Sequence, residues 1–143
     1  MSKPHKRPYK VAAAGCIVYR RRAGSVQFLL AKRPGSPWML PRGKVMPNET
    51  PRAAASREVF EETGVKTRAG LEIGSYSYPI GKGRYKFVQF FAASTFSGSP
   101  TPDGKEFSEV DWVDLDVALT AVSPREAVLL EATASLCQER VLP

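Results

Sequence analysis

Glu58, Glu61 and Glu62 stand at i, i+3 and i+4 in the stretch GKVMPNETPRAAASREVFEETGV, Gly43 to Val65. On a helix that spacing puts three carboxylates on one face. Like charges so close repel one another in an isolated helix. A bound divalent cation would turn the repulsion into a ligand set. Oxygen-only donors favour a hard ion, Mg²⁺ or Mn²⁺, and Mg²⁺ combines a few carboxylates with substrate phosphates. The stretch therefore points to metal-assisted phosphate chemistry. Taken alone, the Glu61-Glu62 pair reads more often as solvated charge on a surface helix.

The elements that must hold these carboxylates are legible nearby. Thr50 is a good N-cap, and Pro51 suits the first helical position. Residues 52–63 contain no Gly or Pro, and Ala53, Ala54 and Ala55 are strong helix formers. Gly64 fits the residue just past the helix end. Val59 and Phe60 are expected to face a core. Arg57 sits beside Glu58 and four residues before Glu61, where it can hold a carboxylate in position. The segment from Gly43 to Glu49, with Pro47-Asn48, reads as a loop in which Asn48 can adopt a left-handed turn.

At 143 residues the chain is long enough for one domain with a sizeable core. We divide it into a basic N-terminal tail, residues 1–10, and a single domain, residues 11–143. The net charge is +7, with Lys3, Lys6, Arg7 and Lys10 in the tail. A second group comprises Arg20-Arg21-Arg22, Lys32-Arg33, Arg42, Lys44, Lys82, Arg84 and Lys86. A basic balance suits polyanionic partners. No apolar run approaches a membrane span. The basic start is followed by too short an apolar stretch for a secretory signal. Cys16 and Cys137 lack metal-type spacing and read as buried free thiols of a reducing cytoplasm. The one histidine, His5, lies in the tail, which argues against histidine-based chemistry.

The order reads strand, strand, loop, helix, strands, helix, with no internal repeat. Residues 11–19 and 26–32 are β-prone, with a turn at Arg22-Ala23-Gly24-Ser25. Residues 71–79 and 85–95 form further strands, the latter rich in aromatics, with Gly81-Lys82-Gly83 as a flexible connection. Residues 97–104 are a loop, and residues 110–113 a short strand. Ser123-Pro124-Arg125-Glu126 reads as a capping box. The helix it starts should run to about Cys137, with Ala127, Leu130, Ala134 and Cys137 on one face. The expected class is α/β, a sheet covered on both faces by helices.

The Gly43–Val65 stretch also matches the Nudix box at Gly43, Glu49, Arg57, Glu58, Val59, Glu61, Glu62, Gly64 and Val65. The chain thus resembles the Nudix hydrolases, which cleave a nucleoside diphosphate linked to another group. The resemblance implies an α/β/α sandwich with a mixed β-sheet between helices. It implies metal ligands at Glu58, Glu61 and Glu62, often completed by the Gly43 backbone carbonyl. It implies that Arg57 orients a glutamate and that Glu49 supports the loop-helix geometry. The general base differs among members. Here it is a box glutamate such as Glu58, or a later carboxylate, with Glu106 preferred to Glu109. Trp112 reads as core.

Substrate is read from the flanks. Leu40-Pro41-Arg42-Gly43-Lys44 resembles the corresponding loop of members acting on diadenosine polyphosphates or diphosphoinositol polyphosphates. Residues 86–92 resemble a strand of bacterial diadenosine-polyphosphate hydrolases. Arg42 and Lys44 would place cations near a phosphate chain, and Arg84 and Lys86 would add a second basic wall. Tyr76, Tyr78 and Tyr85 read as half-buried strand tyrosines, with stacking on a base as the alternative. The expected partner is a small-molecule polyphosphate. Trimming of RNA 5′ ends, cleaning of nucleoside triphosphates and non-catalytic sensing are alternatives. Nucleic acid is less favoured because no extended RNA-binding segment is evident. Met46 and Asn48 replace the glutamate and glycine that many members carry, which bears on substrate preference without removing a metal ligand.

Overall fold

A computed structural model describes residues 9–143. The tail cations Lys3, Lys6 and Arg7, and His5, lie outside the described residues. Strand β1 (Tyr9–Arg22) already includes Tyr9 and Lys10, so these two belong to the sheet and not to the tail. The other elements are β2 (Ser25–Lys32), β3 (Trp38–Met39), β4 (Arg42–Lys44), α1 (Pro51–Thr63), β5 (Lys66–Thr67), β6 (Glu72–Gly81), β7 (Arg84–Ala93), β8 (Phe96–Ser97), β9 (Glu109–Asp114), α2 (Leu115–Ala121) and α3 (Pro124–Gln138).

The sheet is mixed, and β1 is its axis. β1 runs parallel to β7 from Tyr9↔Arg84 to Val18↔Ala93, and antiparallel to β4 at Ala13–Gly15 and to β2 at Tyr19–Arg22. β6 extends the sheet beyond β7, and β3 and β9 flank β2. A strand buried on both faces must be apolar at every position. Residues 13–19 of β1 meet that demand, and their alternation sorts them into two cores. Ala13, Ile17 and Tyr19 pack with Leu40, Val88, Phe90, Ala118, Leu129, Leu130 and Cys137 on the side of α2 and α3. Ala14, Cys16 and Val18 pack with Ala54, Ala55, Val59, Val65 and Phe91 on the side of α1. This is the α/β sandwich that the box resemblance implies.

Several local expectations are refined. Gly81-Lys82-Gly83 is no flexible connector. Gly81 pairs with Arg84, and Lys82 and Gly83 both take positive φ, the two-residue turn that matches strand twist. The β1–β2 turn does the same at Ala23-Gly24. Phe60 is exposed, and only its neighbour Val59 is buried. Lys66 Nζ lies over the Phe60 ring at 5.6 Å. The buried stripe of α3 is Glu126, Leu129, Leu130, Thr133 and Cys137, rotated from the expected Ala127–Leu130–Ala134–Cys137 face. α2 and the two-residue strands β3, β5 and β8 were too short to be read from periodicity. Both cysteines are free and buried, and burial pushes the Cys16 thiol up to about 12. No helix among the described residues is long and apolar enough to cross a membrane.

Candidate functional site

The site begins where α1 meets β4. Thr50 caps α1, its hydroxyl accepting from Ala53 N at 3.1 Å, and Gly64 ends it in the left-handed conformation. Ala54, Ala55 and Val59 seat the helix on β1, which turns Glu58 toward β4. Gly43 faces α1 there, opposite Ala14. A Cβ at Gly43 would overlap the Glu58 carboxylate. Only glycine admits that carboxylate against the strand backbone.

Arg57 organises the acidic residues. Its Nε and Nη2 donate to the two carboxylate oxygens of Glu49 at 2.7 and 2.9 Å. Its Nη1 donates to Glu58 at 2.9 Å and Glu61 at 3.1 Å, and Nη2 also reaches the Lys44 carbonyl at 2.9 Å. The planar guanidinium fork supplies enough donors for this whole set. The Glu49 bonds do most to hold the Arg57 proton, so its pKa lies above the usual arginine range. The same pair, opposed in part by desolvation, lowers Glu49 below the usual carboxylate range. Glu49 also accepts from Met46 N at 3.0 Å. This closes a turn in which Asn48 has φ +65°, the conformation that Asn tolerates better than most residues.

Glu62 is only 5% exposed. Burial first, then the charges of Glu58 and Glu106, push its carboxyl up to about 9. Its Oε2 accepts from the backbone N of Arg42 at 3.3 Å. Among the described residues no three acidic, histidine or cysteine side chains converge as a ready ligand set. Glu61 is more than half exposed and drawn to Arg57, while Glu62 turns inward. The donor chemistry nevertheless suits a hard divalent ion. Glu58 and Glu62 are oxygen donors close enough for the Glu58 charge to add to burial in raising Glu62, and a cation would relieve that part.

Glu106 lies on a loop built by Asp103, whose Oδ1 accepts three backbone N–H groups, from Lys105, Glu106 and Phe107, at 2.9–3.1 Å. Its charge is felt at Glu62, and its carboxylate pairs with Arg33 at 2.9 Å. Glu109 instead sits on β9 opposite Lys32 and pairs with it at 3.7 Å. Trp112 is half-buried, packed on Phe96 at 4.8 Å with the Arg20 guanidinium 4.5 Å from its ring.

The other sheet face carries the basic candidates. Strand register puts Arg42, Lys44 and Lys86 on the α3 side with Tyr76 and Tyr78. Arg84 shares that face but lies four residues along β7 from Val88, roughly 13 Å at about 3.3 Å per residue, in the hairpin end with Gly81. It is not brought to the carboxylates. Arg42 is not a free cation. Its Nη1 donates to Glu126 of α3 at 3.0 Å. Glu126, 3% exposed, also accepts from Leu40 N at 2.7 Å and from the Ser123 hydroxyl at 3.3 Å. Burial raises its pKa against the pull of Arg42.

Two clefts meet at Arg42 and Ser123. One, about 270 Å³, is lined by Arg33, Trp38, Met39 and Glu126. The other, about 390 Å³, is lined by Tyr76, Tyr78 and Arg125, with the Arg125 guanidinium 5.5 and 5.7 Å from the two tyrosine rings. Sequence reasoning missed Glu126 and Arg125. The capping-box reading sent Glu126 back to its own helix N-terminus. Its place on the buried stripe, three residues before Leu129, is the signal that it needed a cation from elsewhere.

Comparison with known proteins bears on most of the chain. The NUDIX domain family model matches residues 9–133. An 8-oxo-(d)GTP phosphatase of Mycolicibacterium smegmatis is 32% identical over 124 residues, covering 80% of this chain and 38% of its own. The chain thus spans well under half of that relative. The asymmetrical bis(5′-nucleosyl)-tetraphosphatase of Caenorhabditis elegans is 32% identical over 115 residues, covering 76% of this chain and 83% of its own. The crystal structure of a C. elegans Ap4A hydrolase binary complex superposes with a TM-score of 0.76 at 26% identity, covering 90% of this chain and 98% of that one.

Proposed function

The chain belongs to the NUDIX family, and on that premise we propose that it is a Mg²⁺- or Mn²⁺-dependent pyrophosphohydrolase acting on a polyphosphorylated small molecule. The observation that carries this reading is Arg57 holding Glu58 and Glu61, with Glu58 packed against Gly43 and Glu62 of the same helix accepting from the Arg42 amide. Glu58, Glu61 and Glu62 would hold the ion. When bound, it supplies charge stabilisation for the phosphoryl group and lowers the pKa of water.

The chain's own residues do the rest. Arg57 fixes Glu58 and Glu61 and is itself fixed by Glu49. Glu106 takes the proton of a water whose oxygen attacks phosphorus as the anhydride P–O bond breaks. Its electrostatic proximity to Glu62 favours it over Glu109, which sits on β9. Lys44 and Lys86 draw the phosphate chain along the α3 side of the sheet. Arg42 forms the wall between the two clefts, and Arg84 contributes only to long-range attraction.

Dinucleoside polyphosphate is the substrate class we favour. The two clefts meeting at Arg42 suit an extended ligand, and the C. elegans tetraphosphatase matches most of both chains. Diphosphoinositol polyphosphate is the second candidate from the Leu40–Lys44 loop. A nucleoside triphosphate reading has its own support in the M. smegmatis relative. The two buried free cysteines fit a cytoplasmic setting.

The test is nucleotide or phosphate release with Mg²⁺ across diadenosine tetra- and hexaphosphate, a diphosphoinositol polyphosphate, oxidised and ordinary nucleoside triphosphates and a 5′-triphosphate RNA. Turnover of a dinucleoside polyphosphate that disappears in Glu62→Gln is the expected result. Binding without turnover of any of these would favour a sensor and sink the hydrolase reading.

A further inference from the structure

Glu62 and Glu126 are the two buried carboxylates among the described residues. One belongs to the acidic face of α1, the other to the far side of the sheet, and a three-residue segment joins them. Leu40 N–H donates to Glu126, Arg42 N–H donates to Glu62, and the Arg42 guanidinium returns to Glu126. Pro41 between them has no N–H, and its carbonyl occupies the space that a Cβ at Gly15 would need. The segment is therefore gripped from α3, from β1 and from α1 at once. A buried carboxylate left without partners would be costly, so the pairing holds both ways.

We infer that Glu126 is a positioning residue. It fixes Leu40–Arg42 so that the Arg42 amide holds the Glu62 carboxylate. By compensating the Arg42 charge, it makes that side chain a fixed cleft wall instead of a mobile cation for phosphate. This rests on the reading of Glu62 as part of the ion-holding set. It assigns to α3, more than 60 positions from α1, a part in setting the geometry of the α1 glutamates. Partners behind a metal ligand shift affinity or activity by about 10- to 100-fold when lost.

Two variants separate the roles. Glu126→Gln keeps an oxygen to accept from Leu40 N–H but frees the Arg42 charge. Glu126→Asp keeps the charge but is one methylene too short for the 2.7 Å contact. For Glu126→Asp we expect kcat to fall about tenfold with KM within about twofold, and affinity for Mn²⁺ alone, by titration calorimetry, to fall about tenfold. For Glu126→Gln we expect kcat and Mn²⁺ affinity near the parent's and a KM lowered about threefold by the freed guanidinium. A merely structural role would lower the melting temperature of both variants and leave kcat, KM and Mn²⁺ affinity per folded molecule unchanged. That result overturns the inference, as does equal behaviour of the two variants. Should Glu126→Asp not fold, an unchanged KM in Glu126→Gln overturns it. Should the parent turn over nothing in the panel, the functional reading fails, and the Mn²⁺ titration still decides the role of Glu126.

Discussion

The two faces of the sheet are built by different means. On the α1 face the contacts that Arg57 makes are local. Arg57 reaches back eight residues to Glu49 and thirteen to Lys44, one to Glu58 and four to Glu61. On the α3 face the Arg42–Glu126 bond spans 84 residues and Leu40–Glu126 spans 86. The Arg57 cluster has its geometry encoded within one turn and one helix. The α3 side is assembled only when the whole sheet has formed, and its composition is open to change. This suits an arrangement in which one face carries the chemistry and the other chooses the substrate.

That contrast can be broken at its strongest point first. Arg57→Lys keeps the charge but loses the fork that serves four partners. We expect kcat to fall about 100-fold, the cost of displacing reacting groups by about 1 Å, with the circular dichroism spectrum intact. A fall of less than about threefold would show that the α1 face does not depend on that fork. Arg42→Ala attacks the other face. It leaves Glu126 buried without its cation, and we expect a loss of about 2 kcal/mol in urea unfolding. Because burial already raises the Glu126 pKa, losing Arg42 raises it further. The neutral form is then favoured in the fold, so the deficit should shrink as pH falls through that raised value and grow as pH rises. A pH-independent deficit would deny the pair its electrostatic part.

Glu49 tests the α1 face with opposite sign. Its folded pKa is depressed, mainly by Arg57. Its contribution is therefore present above the ordinary carboxylate range and is lost as pH falls through the folded value. Glu49→Gln should cost about 1 kcal/mol at neutral pH and nothing in acid, so the two unfolding curves should converge once pH has fallen through the depressed folded value. The smallest effect lies in the turn that carries Glu49. Asn48→Val should destabilise by about 1 kcal/mol, since a β-branched residue resists positive φ, while Asn48→Gly should be nearly neutral. Equal stabilities for the two would mean the turn relaxes freely.

Much of the α1 face was legible for the reason just given. Thr50, Pro51 and Gly64 mark the helix ends, and spacing alone collects Glu58, Glu61 and Glu62. Gly43 could be singled out by its motif position, but the cause, a carboxylate lying where its side chain would be, needs three dimensions. The long strands were visible because β1 and β7 are apolar at successive positions. Two-residue strands have no period to detect, and Lys82-Gly83 reads as flexible until its strands are seen to pair. Phe60 misled because apolar character does not dictate burial. Glu126 was hidden because a capping-box glutamate and a buried brace have the same local sequence. What differs is whether the helix turns that residue inward, and the β3–β4 corner decides that.

The parallel pairing of β1 with β7 has a kinetic consequence. Tyr9↔Arg84 and Val18↔Ala93 are joined across roughly 75 positions of chain, so the central ladder cannot form until a long loop has closed. α1 lies within that loop and depends on β1 for its seat. The helix should therefore gain protection from hydrogen exchange together with β1 and β7, and not ahead of them. Folding should be slow for a chain of this size, with the acidic helix among the last parts to become rigid.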